Sequence, residues 1–215
     1  LSTRTLFFSL AINKIDEPEM LVKLKHPKVA KYASWLRDVR AFRPHQLSDE
    51  VEQMLHEKYV AGRAAWVRLF DETFAGLRFP VGTKKLTEAE AFHLLSSKNP
   101  QMRKKAGLVI GEVLKANAPL FTLITNTLAK DKEIEDRWRK FERPISSRNL
   151  SNYIEDGVVD ALMEATRRSY PKLSHRYYGL KARWFGKKSP DYWDRNAALP
   201  FDADKSFTWP EARDL

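Results

Sequence analysis

Apolar side chains recur every three or four residues along most of this 215-residue chain, and this spacing is the feature that most restricts its fold. The clearest run follows Ser48, a good N-cap residue, and places a long series of apolar side chains on one helical face: Val51, Met54, Leu55, Tyr59, Trp66, Leu69, Phe70, Phe74 and Leu77. Glycine, which weakens helices, accounts for only 8 residues. The sequence therefore predicts a mainly α fold: a multi-helix array with long antiparallel helices and at most one short β-hairpin.

Local signals mark the first helix boundaries. We predict a helix after Asp16 with Pro18 in its opening turn, and a second helix over residues 28–42. The helical pattern that starts at Ser48 ends before residues 78–86, where Gly82 permits a tight turn. Those residues are the place where we expect the hairpin.

Stronger capping signals follow. Thr87 and Glu90 have the spacing of a capping box, and Asn99–Pro100 reads as an N-cap followed by proline at the first helical position. Because proline lacks the backbone N–H, we expect Pro119 to kink or divide the next helix. A long helix over residues 120–141 and helices over residues 149–169 and 171–185 complete the prediction, with an irregular tail.

Composition limits the class of protein. Hydrophobic residues make up 43% of the chain, which indicates a folded protein, and no apolar run approaches the ~20 residues that span a bilayer. Cysteine is absent, which excludes disulfides, thiolate nucleophiles and Cys-ligated zinc, and is typical of a cytoplasmic protein. The first residue is Leu1 rather than methionine, so we expect sequence upstream of it. The opening segment is interpreted as structure rather than a signal peptide.

The net charge of +10 raises the question of nucleic-acid binding. The richest basic run, residues 137–140, is flanked by Glu133, Glu135, Asp136 and Glu142, which would repel phosphates. We interpret the run as a solvated helix face and expect neither a nucleic-acid nor a membrane partner. A basic helical module that binds nucleic acid or protein without enzymatic activity is the alternative.

The histidines do not form a zinc motif. A helical H-E-x-x-H sequence places two imidazoles on one metal ion, with the glutamate as general base. Of the five histidines, only His56-Glu57 starts that pattern, and Val60 stands where the second histidine is needed. His56 is therefore interpreted as a surface or capping residue.

Other catalytic patterns are also absent from the sequence. There is no Gly-x-Ser-x-Gly elbow and no Gly-rich phosphate loop. The acidic pairs at residues 71–72 and 155–156 are interpreted as solvated, and the aromatic stripe of Trp35, Trp66, Phe70 and Phe74 as core rather than a stacking platform. The stretch 175–184 mixes aromatic and cationic residues, which would suit the lining of a polar cleft. We predict no catalytic, cofactor-binding or metal-binding residue in this chain.

Several segments carry a family resemblance. They are residues 43–57 (RPHQLSDEVEQMLHE), 78–79, 121–141 (FTLITNTLAKDKEIEDRWRKF), 143–144, 149–164, 170–181 (YPKLSHRYYGLK) and 191–200. Together they span nearly the whole chain. The sequence resembles the oligoendopeptidase F family, bacterial zinc metallopeptidases that cut short peptides and are related to thimet oligopeptidase.

The resemblance implies a zinc-dependent oligopeptidase whose zinc motif lies beyond the end of this chain. Residues 1–47 would then end an upstream helical region, 48–133 would form the family's N-terminal helical domain, and 134–215 would begin an incomplete catalytic domain. The segment would form a helical lobe and part of the channel wall. Its implied partners are short peptide substrates and the missing C-terminal catalytic half. Zinc is implied for the full-length protein and not for this fragment, which we expect to be inactive alone.

Two expectations about burial follow. The helices that start at Ser48 and Leu120 should pack together and bury four side chains: Trp66, Phe70, Leu123 and Ile124. Apolar side chains of the incomplete domain should be exposed, because the sequence that covers them is missing: Ile154, Val158, Leu162, Tyr177, Leu180 and Trp184.

Overall fold

The computed structural model describes residues 2–201 and 207–214, with side chains from residue 5 onward. Helices account for 71% of the residues, and the strands form a single two-stranded antiparallel sheet within the described part of the chain. The prediction of a mainly α fold with one short hairpin is confirmed.

The chain divides into two compact units. Unit 1 contains the residues up to Thr73 together with Pro119–Ala165, and unit 2 contains Phe74–Ala118 together with the residues from Thr166 onward. The domain boundaries at residues 47 and 133 come from the family resemblance and not from packing, and they stay a prediction.

Unit 1 is built from short helices and the end of one long helix. In chain order its helices are α1 (Ser2–Lys14), α2 (Glu17–Leu24), α3 (Pro27–Ala30), α4 (Ala33–Arg40), α5 (Asp49–Lys58) and α6 (Arg63–Gly76), which runs into unit 2. The second half of α8 (Pro100–Trp138), α9 (Ser146–Ser151) and most of α10 (Asp156–Ser169) follow. Its buried centre is formed by Ile12, Met20 and Leu36, from α1, α2 and α4.

Unit 2 contains the hairpin. The strands β1 (Phe79–Val81) and β2 (Lys84–Leu86) pair antiparallel, and Gly82 between them has φ +67°. They are followed by α7 (Glu88–His93), the first half of α8, α11 (Ser174–Trp184) and α12 (Trp209–Asp214). Phe79, Ala91 and Ile110 form the buried centre. The hairpin lies where the sequence placed it.

The predicted caps at Thr87 and Asn99 are confirmed at atomic detail, whereas Ser48 occupies the N-cap position of α5 but its side chain makes no capping hydrogen bond. Asp16 accepts from the backbone N–H of Glu19 and caps α2. The Thr87 hydroxyl accepts from the Glu90 backbone while the Glu90 side chain accepts from the Thr87 backbone, which completes the capping box of α7. At the start of α8, the Asn99 Oδ1 accepts from two backbone N–H groups.

Four predictions about helix boundaries were wrong. The helix expected over residues 149–169 is divided into α9 and α10. The helix expected over residues 28–42 is divided into α3 and α4. The one expected from Ser48 to Leu77 is divided into α5 and α6, because the carbonyl of Lys58 accepts from both Ala61 and Gly62 and turns the chain. Of the two effects expected at Pro119, division of the helix is wrong, because α8 runs through it as one helix, and a kink stays a prediction.

The predicted burial of the long helices is confirmed only in part. Ile124 is 2% exposed, but Leu123 is 54% exposed and Phe70 is also exposed, although its ring contacts that of Phe121 at a centroid distance of 5.4 Å. The interpretation of the aromatic stripe as core is likewise wrong for Trp35, which is exposed and stacks on Phe8. Helical spacing identifies a shared face but not what covers that face.

One helix of the described residues, α8, is long and apolar enough to cross a membrane by length and composition. This departs from the expectation that no apolar run reaches that length. The mostly buried core helices of soluble proteins can have the same length and composition. The absence of a membrane partner stays a prediction.

Two glycines of α8 differ in their surroundings. A Cβ added at Gly107 would lie 2.9 Å from Tyr192 Oη and 3.1 Å from Trp193 Cβ, whereas one added at Gly111 would meet only Tyr192 Oη, at 3.9 Å. The Tyr192 hydroxyl also donates to the Gly107 carbonyl. The missing side chain at Gly107 is what allows this close approach.

We predict opposite effects for the two alanine substitutions. Gly111→Ala should raise the free energy of unfolding by up to about 1 kcal/mol, since alanine favours a helix. Gly107→Ala should lower it by about 1–3 kcal/mol because of overpacking. Urea denaturation of the two variants and the unchanged protein measures both effects. Equal stabilisation by the two substitutions would contradict the described packing of residues 192–193 on α8.

Candidate functional site

The described residues hold no group of three or more histidine, cysteine, aspartate or glutamate side chains that could bind a metal ion. The five histidines are spread over the chain. His26 caps α3, His45 follows α4, His56 is near the end of α5, His93 ends α7 and His175 begins α11. A catalytic zinc ion needs three protein ligands. The described part of the chain therefore does not fit zinc.

The structure instead brings together a charged network in unit 1. Arg139, just after the end of α8, makes a two-pronged contact with Glu52 of α5, with Nη1–Oε1 at 2.6 Å and Nη2–Oε2 at 3.0 Å. Its Nε also donates to Glu135 at 2.8 Å. We call Arg139, Glu52, Glu135 and His45 the Arg139 network. It joins residues that are 87 positions apart in the sequence.

Arg139 and His45 also bind each other through reciprocal hydrogen bonds. Arg139 Nη1 donates to the backbone oxygen of His45 at 3.2 Å. His45 Nδ1 lies 2.8 Å from the backbone oxygen of Arg139, and because a carbonyl only accepts, this nitrogen carries the proton. The imidazole also stacks on Phe141 with ring centroids 3.9 Å apart.

The position of Phe141 follows from the way α8 ends. Lys140 has φ +58°, which is uncommon for a residue with a side chain. The N–H of Lys140 donates to Arg137 and that of Phe141 to Asp136, which together form a Schellman motif. This turn directs the chain back so that Phe141 reaches His45.

The contact between Arg139 and Glu52 shifts the pKa of both groups. Burial alone would raise the pKa of Glu52, but the hydrogen bonds from Arg139 and from the Leu47 backbone outweigh it and hold that pKa below its ordinary value. The bond to Glu52 raises the pKa of Arg139 against the opposing effect of burial. Both groups are therefore charged at neutral pH. Each lowers the free-energy cost of burying the charge of the other.

A cavity of about 480 Å³ lies beside this network, and we call it the His45 cavity. Its lining combines apolar, acidic and basic side chains of unit 1: Leu10, Asn13, Phe42, His45, Gln46, Glu52, Arg63, Lys132, Glu135, Asp136, Arg139, Phe141, Ser147, Arg148 and Ser151. Its volume is in the range of small-molecule sites. Because the Arg139 network forms part of its wall, this cavity is the candidate functional site of unit 1.

The basic run at residues 137–140 was interpreted as a solvated face, and this is wrong for Arg139. The side chain of Arg137 is 67% exposed, whereas those of Arg139 and Glu52 are 19% and 11% exposed. Of the four residues in the run, only Arg139 is turned towards α5, and Arg137, Trp138 and Lys140 are exposed. No local signal distinguished Arg139 from its neighbours, because its partner lies far away in the sequence.

The acidic pair at residues 155–156 has a structural role. Asp156 accepts from Ser146 Oγ at 2.5 Å and from Asn149 Nδ2 at 2.8 Å. These two bonds hold the pKa of Asp156 below its ordinary value. The carboxylate thereby joins the start of α9 to the start of α10.

Unit 2 has a buried charged cluster of its own. Asp194 is 0% exposed, and its Oδ1 accepts from Arg103 Nε at 3.1 Å and Nη2 at 2.9 Å, while Lys187 donates to its Oδ2. Burial would raise the pKa of Asp194, but the hydrogen bonds from Lys187 and Arg103 lower it. Lys181, in the stretch for which a polar cleft was considered, is itself buried and donates to the Arg195 carbonyl at 2.8 Å. These contacts fasten the segment after α11 onto α8.

Comparisons with known proteins agree on a family. Residues 12–79 match the family model Oligopeptidase F. The chain is 24% identical over 214 residues to the Group B oligopeptidase PepB of Streptococcus agalactiae serotype III (strain NEM316), covering 94% of this chain and 34% of that protein. The resemblance to the oligoendopeptidase F family is confirmed.

Two solved structures share the fold of this chain. A protein from Chlamydophila abortus assigned as a peptidase has a TM-score of 0.83 at 19% identity, covering 98% of this chain and 36% of that one. The oligoendopeptidase-F of Enterococcus faecium has a TM-score of 0.80 at 21% identity, covering 92% and 39%. The chain thus spans little more than a third of the length of these relatives.

We predict that Arg139→Gln lowers the free energy of unfolding by about 1–3 kcal/mol, because it leaves the nearly buried Glu52 carboxylate without its cation. The matched control is Arg137→Gln, which removes the same charge two residues away from an exposed, loose pair with Glu133 at 3.8 Å. It should change stability by no more than about 0.5 kcal/mol. Urea denaturation at pH 7 compares the two. Similar losses in both variants would contradict the assigned role of Arg139.

The same network predicts a pH dependence. The folded-state pKa of Glu52 is lowered, so its contribution is fully present above the ordinary glutamate value of 4.5 and is lost as pH falls through the lower folded value. Glu52→Gln should therefore destabilise the protein at pH 7, and the difference from the unchanged protein should shrink below pH 4.5. Glu50→Gln, at an exposed position of the same helix, is the control and should show no such trend. A loss from Glu52→Gln that is independent of pH would contradict the ion pair.

Proposed function

We propose that this chain is the N-terminal part of a zinc-dependent oligoendopeptidase that hydrolyses short peptides. In this proposal the segment forms a helical lobe and part of the wall of the substrate channel. The observation that carries the proposal is the match of residues 12–79 to Oligopeptidase F. The fold shared with the Enterococcus faecium oligoendopeptidase-F over 92% of this chain supports it.

The chemistry itself would reside outside the described residues. His56 and Glu57 are followed by Val60, so the second ligand of the zinc helix is missing, and no other metal-binding group occurs in the described part of the chain. The role that remains for this segment is to bind, position or enclose a substrate. Its charged networks are suited to holding helices in fixed positions, which is what a channel wall requires.

Apolar side chains on the later helices support the idea of a missing partner. In unit 1, Val158 and Leu162 of α10 are 52% and 65% exposed, and Ile154 just before that helix is also exposed. In unit 2, Tyr177 and Trp184 of α11 are exposed, while Leu180 is half-buried. Exposed apolar faces of this kind mark interaction surfaces. We propose that they pack against the catalytic half of the protein.

We predict that the 215-residue chain alone retains no stoichiometric zinc after dialysis and does not cleave a bradykinin-sized fluorogenic peptide, because it lacks three zinc ligands. Mixing it with the H-E-x-x-H-containing half that the proposal requires should restore cleavage that a chelator abolishes. Amide hydrogen exchange around Val158 and Trp184 should slow in the mixture. Chelator-sensitive cleavage by the chain alone, or full activity of the other half without it, would refute the proposed role.

A further inference from the structure

Another cavity of unit 1 lies among α1, α2, α3 and α4 and has a volume of about 670 Å³. We call it the Leu36 cavity. Of the ten described residues that line it, eight are apolar or aromatic and the other two are Lys23 and Lys28. None of the ten is acidic. The volume is in the range of small-molecule sites, and the lining differs from the mixed charges of the His45 cavity.

The apolar lining of the Leu36 cavity has a buried part and an exposed part. Ile12, Met20 and Leu36 form the buried centre of unit 1 and are each at most 8% exposed. Phe8 and Trp35 stack with ring centroids 6.1 Å apart, yet they are 52% and 45% exposed. Large aromatic side chains that remain in water next to an apolar hollow are typical of an interaction surface. A hydrocarbon chain in this hollow would therefore contact both buried side chains and exposed rings.

The charge around the Leu36 cavity is positive. Residues 20–36 contain four lysines and no aspartate or glutamate. Lys23 is 3.1 Å from Glu19 in an exposed pair, which contributes little and can be exchanged for another anion. Lys28 is exposed, and its side chain makes no hydrogen bond or ion pair within the described parts of the chain. Because lysine stems lie along apolar surface while their ammonium groups stay in water, this cavity favours an anion at its mouth.

We propose that the Leu36 cavity binds a medium-chain fatty acid. The hydrocarbon chain, of about eight to twelve carbon atoms, occupies the apolar part, and the carboxylate lies at the mouth beside Lys28 and Lys23. Charge complementarity selects this class of ligand, because an uncharged apolar occupant would gain nothing from the two lysines. The inference rests on α1 to α4 and does not depend on the proposed peptidase role.

Isothermal titration calorimetry of the 215-residue chain with octanoate, decanoate and 1-octanol, each below its micelle or solubility limit, tests the proposal. Decanoate should bind about tenfold more tightly than octanoate, because it buries two more CH₂ groups. The alcohol 1-octanol has the same number of carbon atoms as octanoate but no charge. It should bind at least about threefold more weakly than octanoate, since it cannot form a charge-assisted hydrogen bond with a lysine.

Substitution of a lysine tests the position of the carboxylate. Lys28→Gln should weaken the binding of decanoate by about threefold to tenfold, because it removes the unpaired charge of the lining. The matched control is Lys25→Gln, which makes the same charge change at an exposed position that does not line the cavity. Lys25→Gln should bind decanoate normally at about 0.15 M salt, which screens distant exposed charges.

Substitution of a tryptophan tests the position of the hydrocarbon chain. Trp35→Ala removes an exposed ring of the lining and should weaken the binding of decanoate by about tenfold or more, because apolar contact with the ligand is lost. Trp209→Ala, at an exposed position of α12, is the control and should bind decanoate normally. If Trp35→Ala does not fold, the two lysine variants and the ligand series still decide the question.

Four binding results would overturn the proposal. They are no heat of binding with decanoate, equal binding of octanoate and decanoate, binding of 1-octanol as tight as that of octanoate, and equal weakening by Lys28→Gln and Lys25→Gln. Inactivity of the reconstituted peptidase would leave the binding of decanoate intact, so the two proposals fail separately.

Other occupants of the Leu36 cavity have their own signatures, and each would also overturn the proposal. A dimer that Trp35→Ala dissociates in analytical ultracentrifugation, without binding of decanoate, would assign the cavity to a second copy of this chain. Sedimentation with anionic phospholipid vesicles, without binding of free decanoate, would assign it to a membrane surface. Decanoate binding that disappears when the catalytic half is added would assign it to that half.

Discussion

The contact between Arg139 and Glu52 is the interaction on which the arrangement of unit 1 most depends. It joins α5 to the end of α8 across 87 positions of sequence, with both side chains largely removed from water. The same guanidinium holds the His45 carbonyl, and His45 in turn holds the Arg139 carbonyl and the Phe141 ring. Burying charged groups is costly unless they are paired and well hydrogen-bonded. Each of the three guanidinium nitrogens of Arg139 donates to an acceptor within unit 1, so its charge is already committed to Glu52 and Glu135.

Unit 2 also contains a buried charged contact between distant segments, but with different geometry. Asp194 has no exposed surface, and it holds Arg103 of α8 from a position 91 residues away. Burying such a cluster contributes little net stability compared with an apolar core, but it accepts only one arrangement of the groups. The close packing of residues 192–193 on Gly107 is consistent with that requirement. In both units, therefore, a fixed polar contact between distant segments defines where α8 lies relative to its neighbours within that unit.

The success of sequence reasoning depended on the distance between interacting residues. The capping box of Thr87 and Glu90, the cap at Asn99 and the turn at Gly82 were all predicted, because each signal lies within a few residues of the structure that it causes. Partners such as Glu52 and Arg139 have no local signal, so the run at residues 137–140 was taken as uniformly solvated. The continuity of α8 through Pro119 was also missed, because it depends on packing that leaves no signal near the proline. A proline removes one hydrogen bond, and a long helix that is anchored in packed structure at both ends can tolerate that loss.

Some residues of the candidate site lie within the segment that matches the family model, and others lie outside it. Asn13, His45 and Glu52 lie within residues 12–79, which match Oligopeptidase F, whereas Arg139 and Arg148 come from later segments. All three guanidinium nitrogens of Arg139 donate hydrogen bonds, and Arg148 is not paired within the described chain. The structural role in this region therefore belongs to Arg139, which joins α5 to the end of α8, and Arg148 takes no part in that joint.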